Sequence, residues 1–205
     1  MKNAALHVDG QVHEHQLGHQ PRPELPKMLV FLDTEFTGLT QDAKLISIGL
    51  VDESGDRTFY AELSDTWRPN DAGEFAKHEV IPLLEGDTYV ISIRELGDKL
   101  HAWIMEFGGK VVLAMDSLRW DWPWIMAIFD QHGAWPPNLD HEPLLLTMNY
   151  LNDFDQFEVA VENAFICGLR RHHALDDAQA NRLGWIAAGG DIGRTQQVYD
   201  HDPVS

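Results

Sequence analysis

The chain has 205 residues but only one cysteine, few cations and no long apolar run. A single cysteine excludes an internal disulfide, and the apolar neighbours of Cys167 predict a buried thiol. No stretch approaches the roughly 18 apolar residues of a membrane-spanning helix, and the N-terminal residues lack a secretory-signal pattern. We therefore expect a cytoplasmic protein that has no membrane partner.

Positively charged side chains are scarce relative to negatively charged ones. Lys and Arg number 15 against 33 Asp and Glu, which gives a net charge of −18 and a pI near 4.8. Proteins that coat long nucleic acids neutralise many phosphates with Lys and Arg, so this balance argues against a broad nucleic-acid-binding face. Carboxylates that hold divalent cations still allow contact with phosphate. The charge therefore permits a phosphodiester substrate only where a short stretch of it is bound.

Length and composition predict one folded domain. The chain is 44% hydrophobic and 23% charged, as in globular proteins. Residues 1–27 contain four of the eleven histidines, three prolines and no apolar periodicity, which predicts a disordered extension. We expect the domain to occupy residues 28–190 and a polar C-terminal tail to occupy residues 191–205.

Apolar patterning predicts an α/β fold. Two continuous apolar runs and one alternating run, joined by a Gly-containing turn, indicate an antiparallel three-strand meander. Helical and strand-like segments alternate after it, which is typical of a mixed central sheet with flanking helices. Residues 64–91 contain several Pro and Gly and are interpreted as a loop region with at most one short helix. The predicted strands are 28–33, 44–51, 57–63, 110–116 and 144–151, and the predicted helices are 92–109, 120–133, 154–168 and 174–190.

The sharpest local feature is a pair of carboxylates, Asp33 and Glu35, at the end of the first predicted strand. Residues two apart on an extended backbone project from the same face. The two carboxylates repel each other unless a cation lies between them, and oxygen ligands suit Mg²⁺ or Mn²⁺. The pair predicts a metal site, although Asp-x-Glu is frequent enough by chance to be weak evidence alone.

Two later segments carry further candidates. Asp121 follows a predicted strand among aromatic residues, where its alternative role is to accept hydrogen bonds from the free amides of a helix N-terminus. His172 stands in a predicted loop, five residues before Asp177 in the next predicted helix. A histidine and a carboxylate at this spacing are also typical of a solvated surface pair.

Together these segments resemble the DEDDh 3′-to-5′ exonucleases, which have a ribonuclease H-like fold and include proofreading subunits, oligoribonucleases and ribonuclease T. The family's first motif, Asp-x-Glu-x-Thr-Gly-Leu, is matched at residues 33–39, and its third, His-x-Ala-Leu-x-Asp-Ala, at residues 172–178. Its second motif, Asn-x-x-Phe-Asp, is matched less well, because Ser117 and Trp120 replace the Asn and the Phe. Asp121 is the preferred carboxylate of that motif.

The second motif leaves Asp116 as the alternative carboxylate. Three sequence patterns narrow the resemblance further: Phe-x-Asp-Thr-Glu-Phe, Leu-Ile-Ser-Ile-Gly, and Asp-Trp at residues 121–122. These are similar to a compact bacterial exoribonuclease branch of the superfamily. The resemblance extends from residue 28 to about residue 188.

The resemblance implies the roles of individual residues. Two Mg²⁺ ions, which Mn²⁺ can replace, would activate water and stabilise the leaving oxygen, and a histidine would be the general base. His172 is the expected base and His173 is its rival. The expected metal ligands are Asp33, Glu35, Asp121 and Asp177, and the expected contacts to the terminal nucleotides are Phe36, Thr37, Gly38 and Leu39. Arg170 and Arg171 either contact a phosphate or are merely solvated.

The predicted function is therefore hydrolysis at the single-stranded 3′ end of RNA or DNA, with RNA somewhat preferred. One alternative is a non-catalytic module on the same fold that binds nucleic acid or protein. The intact acidic quartet argues against it, because converging carboxylates without metal destabilise a fold. A nucleotide phosphohydrolase is a third possibility, but no phosphate-cradling Gly-rich loop is present. Symmetric dimers occur among the relatives, so a homodimer is also expected.

Overall fold

The computed structural model describes residues 27–193. The predicted extension, apart from Lys27, and most of the predicted C-terminal tail lie outside the described residues. Six strands and four α-helices follow one another in the described part. They are β1 (Lys27–Phe36), β2 (Leu45–Asp52), β3 (Thr58–Leu63), β4 (Val90–Ile91), α1 (Ile93–Met105), β5 (Lys110–Met115), α2 (Trp122–His132), β6 (Leu144–Leu145), α3 (Phe154–Ile166) and α4 (Ala174–Ala187).

The strands form one mixed sheet in the order β4-β3-β2-β1-β5-β6. β1, β2 and β3 pair antiparallel as a meander, whereas β5 and β6 extend the sheet in parallel on the other side of β1, and β4 pairs parallel with β3. The predicted α/β class with a mixed sheet, a three-strand meander and flanking helices is confirmed. The arrangement is compatible with a ribonuclease H-like fold.

Helices cover both faces of the central strand β1. Val30 and Leu32 pack in a core cluster with α1 and α2, and the alternate residues Leu29 and Phe31 pack in a second cluster with α3 and α4. Each such fully buried side chain stabilises the fold by about 1.5–3 kcal/mol. Burial on both faces explains why this strand reads as a continuous apolar run. Apart from Lys27 at its start, its polar residues stand only at its C-terminal end.

Two predictions about the sheet need correction. The strand predicted at 144–151 is only Leu144–Leu145. The Leu146 N–H still donates to the Met115 carbonyl, but the chain then turns at residues 147–150, and the side chains of Leu146 and Leu151 pack in the core. The region 64–91 is not only loop. It contains three short 3₁₀ turns, a π-helical turn at Ala76–Val80 and the short strand β4, which was not predicted.

The prediction that Cys167 is buried is wrong. Cys167 is exposed to solvent. It follows the last residue of α3, Ile166, whose side chain is 80% exposed. The apolar stretch around Cys167 therefore includes the end of a helix that extends past the core. No helix among residues 27–193 is long and apolar enough to cross a membrane.

Candidate active site

The first acidic pair lies at the end of β1. Asp33 and Glu35 are opposite Gly49 and Ser47 of the antiparallel strand β2. By strand alternation they share the face of Leu29 and Phe31, which α3 and α4 cover. The pairing register shifts directly after Glu35. The strand therefore presents both carboxylates just before the chain leaves the sheet.

Helix α4 brings the third-motif carboxylate to this pair. A Cβ atom on Gly49 would collide with the backbone of Ala174 and Leu175, so the first turn of α4 rests directly on β2 at this glycine. A residue without a side chain allows this close approach. One turn into the helix, the carboxylate of Asp177 lies within 4.8 Å of that of Glu35. The close contact of α4 with Gly49 thus positions Asp177 in the site.

Asp121 reaches the same place from the opposite layer. It precedes α2, but its side chain does not cap that helix. Instead, Thr34 donates two hydrogen bonds to Asp121 Oδ1, from Oγ1 at 2.6 Å and from the backbone N–H at 3.2 Å. Asp121 is 3% exposed. Asp116, at the end of β5, lies close to it and is more exposed, so the structure brings both candidate carboxylates of the second motif to the site.

The acidic side chains form two groups that each have the dimensions of a metal site. In one group, ligand atoms of Asp33, Asp116 and Asp121 lie within 4.8 Å of one another. In the other, ligand atoms of Glu35, Asp177 and His172 do so. Carboxylate oxygens are the donors that Mg²⁺ and Mn²⁺ prefer. The donor set therefore fits divalent cations.

Burial and mutual repulsion raise the pKa values of these carboxyl groups strongly. Burial, reinforced by the charge of Asp177, raises the pKa of Glu35 to about 8. Burial raises the pKa of Asp121 and of Asp177 to about 7, with the charge of Asp116 adding to both. The pKa of Asp33 also lies well above its usual range, because of burial and then the neighbouring charges. The cluster is thus a place where negative charge is unfavourable unless a cation neutralises it.

His172 faces the acidic cluster, whereas His173 does not. The backbone N–H of His172 donates a 2.7 Å hydrogen bond to Asp177 Oδ2, and its ring packs edge-on against Phe75 with 4.8 Å between ring centroids. His173 is 2% exposed and stacks on Tyr60, outside the set of residues that line the site. Although they are adjacent in sequence, the side chains of His172 and His173 therefore lie on opposite sides of the loop.

A cavity of about 550 Å³ opens above the carboxylates. Its walls include Phe36, which stacks on Trp120 at 5.7 Å between centroids, and Gly38, Leu39 and Phe75. The volume lies in the usual range of ligand sites. Carboxylates on the floor and aromatic rings on the walls suit a ligand with phosphates and flat bases.

A sequence model of 3′-5′ exoribonuclease Rv2179c-like domains matches residues 28–187. The chain belongs to this family. The predicted relationship to a compact bacterial 3′-to-5′ exonuclease branch is confirmed. No curated protein matches the chain. Exonucleases of this kind normally use divalent metals, which agrees with the clustered acidic residues.

Thr37 of the exoribonuclease domain differs from its neighbours in the first motif. Phe36, Gly38 and Leu39 line the cavity, but Thr37 is 4% exposed and does not. Its backbone N–H donates to the Lys44 carbonyl and its hydroxyl accepts from the Lys44 N–H at 2.9 Å. Thr37 closes the loop that carries the cavity-lining residues.

The two arginines before His172 have different surroundings. Arg170 does not line the cavity and pairs with Asp176 and Glu85. Arg171 does, and among the described residues it is the only Lys or Arg that lines this cavity. Its guanidinium lies 4.1 Å from the Phe165 ring centroid and donates to both carboxylate oxygens of Glu162 at 2.8 Å. Within residues 27–193, Arg171 is therefore the cation that this exoribonuclease-like domain holds beside the acidic floor of the cavity.

The sequence interpretation missed several residues that shape the site. Strand alternation directs Thr34 to the face opposite Asp33, so the sequence pattern does not connect it with the acidic pair. Gly49 lies in an apolar run, which hides it among buried residues. An isolated glycine in a strand is nevertheless a signal of close backbone approach. Asn181 is buried and lines the cavity, and its side chain counteracts the rise that burial causes in the pKa of Asp116. It stands four residues after Asp177 on α4, a spacing that places both on one helix face.

Proposed function

We propose that this chain is a 3′-to-5′ exonuclease that uses two divalent metal ions and removes nucleotides from single-stranded 3′ ends. RNA is the preferred substrate and DNA is a poorer one. The observation that carries the proposal is the convergence, on one cavity, of carboxylates from β1, β5, α4 and the segment before α2, together with one histidine. The family description, an exoribonuclease domain, supports RNA over DNA.

The residues that would hold Mg²⁺ or Mn²⁺ are carboxylates with raised pKa values that stand in two groups. The proposed ligands are Asp33, Glu35, Asp121 and Asp177, with Asp116 close enough to assist one ion. When bound, the ions supply activation of water and stabilisation of negative charge on the phosphate and the leaving oxygen. One oxygen of Asp121 is already bonded to Thr34, so the other is the one that faces a cation.

His172 is proposed as the general base. Burial, reinforced by the charge of Arg171, lowers the pKa of its imidazole, which is therefore neutral at physiological pH and can accept a proton on a ring nitrogen. Its ring atoms lie within reach of Glu35 and Asp177, whose negative charge stabilises the imidazolium once it forms. The hydrogen bond from its backbone N–H to Asp177 fixes its position relative to the carboxylates.

The cavity walls are proposed to bind the terminal nucleotides. Phe36 and Leu39 are placed to contact bases, because aromatic and apolar surfaces stack with bases without regard to sequence. Arg171 is placed to pair with a phosphate oxygen once the substrate competes with Glu162. One Lys or Arg in the described lining of the cavity agrees with a protein that holds only the end of a strand. A second copy of the chain as a homodimer partner remains our expectation from the sequence.

The decisive experiment is hydrolysis of RNA and DNA of equal sequence, labelled at either end, with Mg²⁺, with Mn²⁺ and with chelator. We expect a 3′ label to appear first as a mononucleotide and a 5′ label to shorten as a ladder, faster for RNA, and no reaction with chelator. Circular RNA of the same sequence is the control for end dependence and should stay intact. Binding without shortening in either metal would favour the non-catalytic module instead.

A further inference from the structure

His172 sits in an unusual backbone conformation. Its φ is +67°, a region that bulky L-residues rarely adopt and that persists only where the surroundings impose it. It is the third residue of a tight turn, closed by a 3.3 Å hydrogen bond from the His173 N–H to the Arg170 carbonyl. The direction of the His172 ring therefore depends on what holds the two ends of this turn.

The first end of the turn is held by Arg170. Its backbone N–H and its Nε both donate to Asp176 Oδ2, at 2.9 and 2.6 Å, and its Nη2 donates to Glu85 Oε1 at 2.9 Å. The Asp176 side chain is only 11% exposed, so the pair is shielded from solvent on one side. Charge-assisted bonds from a planar guanidinium constrain both the position and the angle of the chain.

The second end of the turn is held by His173. This buried ring stacks on Tyr60 at 4.5 Å between centroids, and Arg170 Nη2 lies 3.2 Å from its Nε2. Tyr60 in turn donates a 3.0 Å hydrogen bond to Glu62, which accepts the backbone N–H groups of the loop at residues 85 and 86. Strand β3, that loop and α4 thus meet around the turn.

We propose that Arg170 is a positioning residue that keeps the His172 imidazole directed at the carboxylate cluster. The inference rests on the proposed function, in which His172 is the base. Neither Arg170 nor its partners Asp176, Glu85 and His173 line the cavity. Their influence on the reaction must therefore pass through the turn. A displacement of a catalytic group by about 1 Å is enough to lower a rate by about 10²-fold.

The test uses Arg170→Ala with Arg182→Ala as its matched control. Arg182 lies on α4, which follows the turn, and its guanidinium is likewise anchored, to the backbone carbonyls of Glu53 and Ser54, but it does not line the cavity. We expect Arg170→Ala to lower kcat by about 10–100-fold while KM and Mn²⁺ affinity stay within about twofold. Arg182→Ala should keep the wild-type kcat. Arg170→Lys, which retains charge but not the planar fork, should lie between the two.

A double-mutant cycle separates positioning from a general loss of structure. In a His172→Ala background, Arg170→Ala should cause no further loss of kcat, because the group it directs is already absent. If the two losses multiply, Arg170 acts independently of His172 and the inference is overturned. Asp176→Asn, which keeps the side-chain shape, provides the same comparison should Arg170→Ala fail to fold.

Hydrogen–deuterium exchange gives a readout that does not need activity. Amides of residues 170–173 should exchange faster in Arg170→Ala than in the wild type or Arg182→Ala. Unchanged exchange with unchanged kcat would overturn the inference and leave the proposed function intact. A wild-type protein without nuclease activity, or a fully active His172→Ala, would instead overturn the proposed function, and exchange would still report whether Arg170 holds the turn.

Discussion

Thr34 and Asp121 are 87 residues apart in the chain, yet Thr34 Oγ1 donates a 2.6 Å hydrogen bond to Asp121 Oδ1. The bond joins the central strand β1 to the start of α2. It occupies one carboxylate oxygen and thereby orients the other. A hydroxyl between two acidic residues of one strand thus aims a third carboxylate that comes from a distant segment.

Asp33→Asn tests the acidic cluster as a metal site. Because Asp33 lies in the group formed with Asp116 and Asp121, the neutral side chain should weaken Mn²⁺ binding and abolish hydrolysis while the fold persists. Isothermal titration calorimetry with Mn²⁺ measures the binding. Asp98→Asn, an equal charge change on the exposed side of α1, should leave both properties unchanged. Unaltered Mn²⁺ affinity in Asp33→Asn would refute the metal assignment.

His172→Ala and His173→Ala should differ. Loss of a general base lowers rates by about 10²–10⁴-fold, so His172→Ala should be nearly inactive and still bind Mn²⁺ and RNA. His173→Ala removes the stack on Tyr60 and should lower the melting temperature as well as, more modestly, the rate. Single-turnover hydrolysis and thermal unfolding measure the two effects. A His173→Ala variant that loses more activity than His172→Ala would reverse the assignment.

Stability without metal should fall as pH rises. The folded-state pKa values of Glu35, Asp121 and Asp177, about 8, 7 and 7, lie above those of the unfolded chain. Between about pH 4 and about pH 8 the folded protein therefore holds protons that the unfolded chain has released, and the free energy of unfolding decreases with pH. Divalent cations require the charged carboxylates, so their stabilising effect should increase over the same range.

Thermal unfolding with Mg²⁺ or with chelator at several pH values measures this dependence of stability on pH and metal. The difference between the two melting temperatures cancels titrations elsewhere in the chain. A difference that is largest at low pH would contradict the cluster as the site of binding.

Gly49→Ala should disrupt the site without touching a polar group. The added methyl would collide with the backbone of Ala174 and Leu175 and push α4 away from β2. Overpacking of this kind costs about 1–3 kcal/mol of unfolding free energy, and the displacement of Asp177 should lower activity as well. Gly108→Ala is the matched control, since nothing lies within 4 Å of its added Cβ. Denaturant unfolding and hydrolysis assays should show both losses only for Gly49→Ala.

Substrate binding should depend little on strand length and on monovalent salt. With a net charge of −18 and Arg171 as the cation at the described cavity, the protein is expected to hold only the terminal nucleotides. Each phosphate neutralised by the protein adds about 0.7 to the salt slope on single strands. Binding in Ca²⁺ should be measured for RNAs of increasing length at several KCl concentrations. A steep slope that grows with length would indicate an extended basic groove, such as one that a second subunit supplies.

The sequence alone predicted the order of the main elements and named the acidic residues that the structure brings together. Apolar runs showed the meander because β1 and β2 are buried on both faces. Helical spacing showed α1, where Leu96, Leu100 and Ile104 are all buried, because local side-chain spacing reports which face is covered. Strand geometry pointed to the pair Asp33 and Glu35, which stand two residues apart, whereas His172 and Asp177 took their predicted roles from the resemblance. Asp121 required a resemblance, because nothing local separates it from a helix cap.

Only the tertiary structure decided how these pieces meet. The short strand β4, the exposure of Cys167 and the meeting of Asp33 with Asp116 and Asp121 depend on segments far apart in sequence. The close contact of α4 with Gly49 and the hydrogen bonds that hold the Arg170–His173 turn also join segments that the sequence pattern does not relate. Periodicity reports whether a side chain is covered but not by what, so contacts between elements become visible only once the chain has packed.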